Sequence, residues 1–220
     1  MSVIIKNNKY EGNLKFDNYP FELSNFQKHA IQAWLDNKNV LVSAHTGSGK
    51  TLPAEYAINH IINNNESNKS NNKIIYASPI KSLSNDKYND LQKKFPKADV
   101  GIITGDIKFN PTGNVLIMTT EILRNLLYNK KIEDIKNKIT ITLDIEDVHT
   151  VIFDEVHYIN DKYRGSVWEE CFIQLPSKIR LINLSATIDN PHHFCKWLAT
   201  IKKKDIIHTY TNERVVPLRH

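Results

Sequence analysis

Residues 39–51 read NVLVSAHTGSGKT. The first half is a short, nearly continuous apolar run, and the second half is a Gly/Ser turn that ends on Lys50-Thr51 and opens a helix-like stretch. Strand, glycine loop, Lys-Thr and helix in that order form a phosphate-gripping loop. The glycines let backbone N–H groups turn inward, the helix N-terminus adds positive potential, Lys50 reaches β- and γ-phosphates, and Thr51 binds magnesium. The pattern G-x-x-x-x-G-K-[ST] expects glycine where Ala44 stands. Alanine serves there if the position needs a small side chain and ordinary backbone angles. Ala44, His45, Thr46, Gly47, Ser48, Gly49, Lys50 and Thr51 are therefore the candidate nucleotide loop. Pro53 lies in the first helical turn, where its missing N–H costs nothing.

Working outward, similar apolar runs recur: KIIYAS (73–78), VGIIT (100–104), NVLIMTT (114–120), HTVIFDE (149–155) and IRLINLSAT (179–187). Being continuous and not alternating, they predict parallel strands covered on both faces. Helix-like stretches at 51–63, 81–95, 121–129, 166–175 and 191–200 separate them. The alternation predicts an α/β fold, a doubly wound, mostly parallel sheet with helices on both faces. The loops SPIKS, TGD, TTE, DEVH and SAT then gather with the phosphate loop beyond the carboxyl ends of the strands, where such sheets bind ligands.

The run NNNESNKSNNK (63–73) reads as a mobile polar loop. Residues 130–148 are long for a connection, and ITITLDI alternates like an exposed strand or hairpin arm. The domain is expected over 17–211, with an N-terminal extension at 1–16 and the start of a linker at 212–220.

Composition excludes several classes. Two cysteines in 220 residues make no disulfide framework, which fits a reducing interior, cytoplasmic or nuclear. The N-terminal apolar run is too short for a signal peptide, no run approaches membrane-spanning length, and no membrane partner is expected. The net charge of +5 fits a polyanionic partner, although the Lys, Asn and Ile excess is equally what an AT-rich coding sequence produces.

VIFDEVH supplies the acidic partner of the phosphate loop. Asp154 ends an apolar strand and points toward magnesium, and Glu155 follows to orient the attacking water. Without an N-K-x-D signature, GTP is disfavoured. His192, His193 and Cys195 read as structural and not metal-binding, and Trp34, Trp168 and Trp197 as core.

The order AHTGSGKT, DEVH, SAT on successive strand ends resembles the first motor domain of a superfamily 2 helicase of the DExH type, a RecA-like P-loop domain. In that superfamily the loop commonly begins with Ala. YPFELSNFQKHAI (19–31), SPIKSLSNDK (78–87), TGDIKFNP (104–111), IMTTEILRNLLY (117–128) and VIFDEVHYINDKYRGSVWEE (151–170) extend the resemblance to the superkiller-type RNA helicases that feed RNA to the exosome. The resemblance implies ATP and Mg2+ as cofactors, with Phe21 stacking on adenine and Gln27 bonding its edge. It further implies a path for single-stranded RNA along Pro79, Lys81, Ser82, Thr104, Gly105, Asp106, Thr119, Thr120, Glu121 and Arg124. His157, Ser185, Ala186 and Thr187 would couple the γ-phosphate to RNA grip.

Plainer roles remain open at this point: Phe21 in the core, and the SPIKS and TTE loops as helix caps. The second RecA-like domain, with its Q-x-x-G-R-x-x-R arginine finger, is a further implied partner, and the RNA-decay machinery another. Without that arginine, worth roughly 10³ to 10⁵ in rate for related phosphoryl transfers, the chain alone is expected to be nearly inactive. A non-catalytic ATP- or nucleic-acid-binding module and a DNA-tracking helicase are the alternatives.

Overall fold

The computed structural model describes residues 1–17, 19–134 and 139–212. The expected linker start beyond residue 212 lies outside them. Every apolar run named above forms a strand: β2 (Asn39–Ser43), β3 (Lys73–Ser78), β4 (Val100–Ile103), β6 (Val115–Thr119), β9 (Val148–Phe153) and β10 (Arg180–Ser185). Three further strands join them, β1 (Val3–Lys6), β5 (Lys108–Phe109) and β11 (Ile206–Tyr210), giving one sheet of order β1-β11-β2-β10-β9-β3-β6-β4-β5. All neighbours are parallel except the β4/β5 pair. The stretch read as an N-terminal extension thus contributes an edge strand to the sheet, with Val3 opposite Ile206.

Period-two alternation within each strand feeds two separate cores. In β9, Val151 and Phe153 face a core covered by α4 (Thr120–Asn129), α5 (Gly165–Gln174) and α6 (Pro191–Lys202), while Ile152 faces one covered by α1 (Asn25–Leu35), α2 (Leu52–Asn68) and α3 (Lys81–Lys94). Trp34 and Trp168 are fully buried, one in each core, and Trp197 is half-buried against Phe172 and Phe194. Cys195 is buried whereas His192 and His193 lie exposed, so the three do not converge. Lys202, also buried, donates to the carbonyl of Leu175, the C-cap residue just past α5.

The run 63–73, read as a loop, is helical over its first part: α2 continues to Asn68, Lys69 caps it in the left-handed region, and the chain turns into β3 at Lys73. Asn65 orders that turn, its Oδ1 accepting from Ser70 Oγ at 2.8 Å and Asn72 N at 3.1 Å while its Nδ2 donates to Asn72 O. A composition that cannot bury apolar surface is compensated by side-chain bonds to backbone. In 130–148, β7 (Lys131–Asp134) pairs antiparallel with β8 (Ile139–Thr142), the expected hairpin arm. No helix among the described residues is long and apolar enough to cross a membrane.

Candidate nucleotide site and nucleic-acid edge

The strand ends are flush. Ser43 of β2 stands opposite Ser185 of β10, and Phe153 of β9 is in register with Asn183 on one side and Ala77 of β3 on the other. Beyond them Ser78 meets Thr119 of β6, and Ile103 of β4 meets Met118. The spatial order along this edge is therefore phosphate loop, SAT, DEVH, SPIKS, TTE, TGD, and a strand crossing the edge would pass each in turn.

Gly47 and Gly49 hold φ of +85° and +79°, the left-handed region in which the loop turns its amides inward. Ala44 has no such angle; it is buried in the core on the α1/α2 side, and its N–H donates to Ser185 O at 3.0 Å. A methyl group fits there, so the departure from glycine is accommodated by packing. Ser48 closes the loop through its N–H and hydroxyl, both donated to His45 O. Leu52 N bonds Gly49 O, so α2 begins directly behind Lys50-Thr51 with Pro53 in its first turn.

Gln27 has a role its position in the sequence does not reveal. Its Oε1 accepts from Ser24 N, completing a capping box at the start of α1, and its Nε2 donates to Gly49 O at 3.0 Å. One N–H and one lone pair of the amide remain for another partner. A Cβ on residue 49 would lie 2.6 Å from Gln27 Nε2. Gly49→Ala is therefore expected to cost about 1–2 kcal/mol for the left-handed backbone alone. It should lower Tm by several degrees and weaken nucleotide binding; adding Gln27→Ala should recover part of the loss. Calorimetry of the single and double variants checks this. Phe21, by contrast, is 55% exposed with Tyr19 as ring neighbour at 5.9 Å, so its face is open for stacking and the core alternative does not hold.

Lys50, nearly buried, donates to Glu155 Oε1 at 3.0 Å. This contact joins the phosphate loop to the DEVH loop across the end of β10. Glu155 sits at φ +53°, an angle that costs a non-glycine residue free energy and aims its carboxylate at the loop. Its Oε2 has no hydrogen-bond partner although buried; His157 Nδ1 lies 3.3 Å away but is not placed for a hydrogen bond.

Asp154 is held at both oxygens: Oδ2 accepts from Tyr76 Oη at 2.6 Å and Oδ1 from Glu155 N at 3.0 Å. Burial raises its pKa, the Tyr76 hydroxyl pulls it back, Glu155 raises it, and Lys87 and Lys50 lower it. Tyr76 itself, buried and beside two carboxylates, is pushed well above the usual phenol range and stays a donor. A buried carboxylate oxygen without a partner, a second fixed carboxylate, a lysine paired with the first carboxylate, and a glycine turn at a helix N-terminus fit a nucleoside triphosphate with its magnesium ion.

Farther along the edge, Lys81 Nζ pairs with Asp106 Oδ2, joining the SPIKS and TGD loops, and both side chains are exposed. Ser82 and Gly105 are exposed beside them. Pro79, Thr104, Thr119 and Thr120 are buried. Thr104 Oγ1 accepts from Ile107 N at 3.1 Å and closes the TGD turn, so its side chain organises that loop from beneath. Ser185 does likewise for SAT, donating to Thr187 O while Ala186 and Thr187 face outward.

Arg164, not singled out in the sequence, bridges three elements from the start of α5. Its Nη1 donates to Pro79 O at 3.0 Å and its Nη2 lies 3.3 Å from Glu121 Oε1. The only signal was its place in the quoted R-G step before the helix-like stretch 166–175. Arg124 faces Glu170 at 4.0 Å, a second link between α4 and α5.

The sequence profile of the DEAD/DEAH box helicases matches residues 24–194. Among curated proteins, the antiviral helicase SKI2 of Saccharomyces cerevisiae is 46% identical over 200 residues, which cover 91% of this chain and 14% of that protein. The exosome RNA helicase MTR4 of Homo sapiens is 44% identical over 202 residues, 92% of this chain and 18% of its own. The chain thus spans less than a fifth of the length of these relatives. Among solved structures, the helicase MrfA bound to DNA and AMPPNP superposes with a TM-score of 0.67 at 18% identity, over 95% of this chain and 31% of that one, a likeness of fold. With the phosphate loop, the acidic strand end and the flush motif edge in place, the chain belongs to the DEAD/DEAH box helicase family.

Proposed function

We propose that this chain is the first motor domain of an ATP-dependent RNA helicase, and that it couples ATP hydrolysis to movement along a single strand in partnership with a second RecA-like domain. The observation that carries the reading is the 3.0 Å contact between Lys50 and Glu155, made on the same sheet edge as the SPIKS, TTE and TGD loops. That shared edge supports a coupling of phosphate chemistry to strand contact.

In this mechanism Phe21 and Gln27 bind the adenine, and the amides of 46–50 with Lys50 hold the phosphates. Thr51 and Asp154 would hold magnesium, with Tyr76 fixing the Asp154 carboxylate. Glu155 orients the attacking water through its unpartnered oxygen. When bound, the metal and triphosphate supply the electrophilic phosphorus and neutralise the developing charge. Ser185, Ala186 and Thr187, between the phosphate loop and DEVH, and His157, beside Glu155, would transmit the nucleotide state to the strand loops. The strand contacts are to sugar and phosphate, which grip without reading sequence. Likeness to a helicase named for antiviral action and another named for the exosome supports RNA as the track and RNA decay as the setting.

Lys50→Ala is expected to weaken ATP binding by about 10- to 100-fold, the worth of a charge-assisted hydrogen bond to phosphate. It also leaves Glu155 without its cation. Titration with a fluorescent ATP analogue reads the effect. In a longer protein carrying the second motor domain, hydrolysis should rise on adding single-stranded RNA. Equal rates with and without RNA, or stimulation by DNA alone, would end this reading.

A further inference from the structure

The turn between DEVHYIN and α5 carries no role in the mechanism so far, yet it is exposed and held by several hydrogen bonds. Asp161 Oδ1 accepts from both Tyr163 N and Arg164 N at 2.9 Å, and Gly165 N donates to Asp161 O at 2.9 Å. Arg164 then fastens the turn to the SPIKS loop through Pro79 O and to the TTE loop through Glu121. Gly165 is required behind it, since a Cβ there would lie 2.2 Å from Ile159 O.

On this fixed backbone Tyr163 is 84% exposed, more than any other tyrosine or phenylalanine that stands out at the surface. A lone exposed aromatic is ordinary. Two comparisons separate this one. Phe109 is exposed but packs edge-on against Tyr88, and Tyr128 sits at the far end of α4, away from the motif edge. The Tyr163 ring instead stands one residue from the arginine that touches both proposed strand loops, with Lys162 Nζ 5.9 Å from its centroid. A rigid aromatic face beside a cation, on a polyanion path, is the arrangement that stacks a base and meets its phosphate.

Resting on the strand-binding reading above, we propose that the Asp161–Arg164 turn is an additional single-strand contact. Tyr163 stacks on a nucleobase, Lys162 meets the adjoining phosphate, and Arg164 positions both by tying the turn to its neighbours. The ligand class is an unpaired nucleotide, recognised by its π-face and charge without regard to base identity.

The test uses the full chain, fluorescence anisotropy at one stated salt concentration, and two labelled RNA oligomers of equal length, one of adenosines and one abasic. On the adenosine strand Tyr163→Ala should bind about tenfold more weakly than the native protein, within the range alanine substitution of a stacking residue gives. Tyr163→Phe and Tyr163→Trp should bind as the native protein does. On the abasic strand Tyr163→Ala and the native chain should be equal, because no base remains to stack. Lys162→Ala should lower the salt dependence, and Tyr163→Ala should leave it unchanged. Equal binding of native and Tyr163→Ala proteins to the adenosine strand overturns the proposal and leaves the helicase reading standing. An equal loss on both strands also overturns it, by showing a structural effect. Failure of the native chain to bind either strand removes the proposal together with the reading beneath it.

Discussion

Glu155→Gln should abolish most hydrolysis while sparing nucleotide binding, with kcat reduced by about 10³-fold in a protein that carries the second motor domain. The amide keeps the size of the carboxylate and one oxygen to accept from Lys50 Nζ, now 3.0 Å from Glu155 Oε1. What it loses is basicity at the second oxygen, which in the native protein is buried without a hydrogen-bond partner. The backbone is not at risk. Glu155 is held at φ +53° by its own N–H to Asp154 Oδ1 and by Tyr158 N donating to its carbonyl, and neither bond involves the side chain beyond Cβ. A residue kept at that cost beside a phosphate loop is there to place a functional group. Single-turnover hydrolysis, run with nucleotide titration of the same preparation, separates the two effects. A variant that still hydrolyses within tenfold of native would remove Glu155 from the chemistry.

Acid should destabilise the domain through two histidines. His149 is half-buried and His208 buried, and both are held down to a pKa of about 4. For His149, burial is the main cause, and Arg180, His60 and Lys204 add repulsion; for His208, burial acts with His192 nearby. In the folded protein these rings stay neutral where the unfolded chain, at about 6.5, takes up protons. Between those values the unfolded state binds more protons, so stability is complete above pH 6.5 and falls as pH drops toward 4. The neutral ring is in use in each case: His208 Nε2 bonds Ser43 Oγ at 3.0 Å, and His149 Nδ1 lies 2.8 Å from Thr150 Oγ1, which also accepts from Trp34. Denaturant unfolding at intervals from pH 7.5 to 4.5 measures the slope. His149→Phe and His208→Asn should each flatten it by about 1.4 kcal/mol per pH unit. A slope untouched by both would refute the assignment. Asp154, whose pKa is raised, contributes with the opposite sign, so the histidine variants, and not the total slope, carry the test.

Much of the site could be read directly. NVLVSAHTGSGKT, VIFDEVH and LSAT each declare themselves by an apolar run that stops at a polar cluster, because a strand buried on both faces leaves chemistry only at its end. Phe21, for which the sequence left a core role open beside the stacking role the resemblance implies, is exposed. Elsewhere local reading fell short. Thr104, Thr119 and Thr120 lie at the strand ends the resemblance pointed to, yet all three are buried, and Thr104 Oγ1 organises its turn from beneath by accepting from Ile107 N. The polar run at 63–73 is mostly helix, because Asn65 satisfies backbone that composition alone leaves unpaired.

The sequence by itself determined the elements and the identity of the phosphate-binding machinery, because both are written in short-range spacing: apolar period, glycines at fixed offsets, acid at a strand terminus. Only the tertiary structure decided strand order, and with it every pairing between segments distant along the chain. Lys50 with Glu155, Gln27 with Gly49, Tyr76 with Asp154 and Arg164 with Pro79 and Glu121 are all of this kind. Their partners lie 22 to 105 residues apart. Such contacts form once the whole sheet has closed, and no local pattern records which strand will lie beside which.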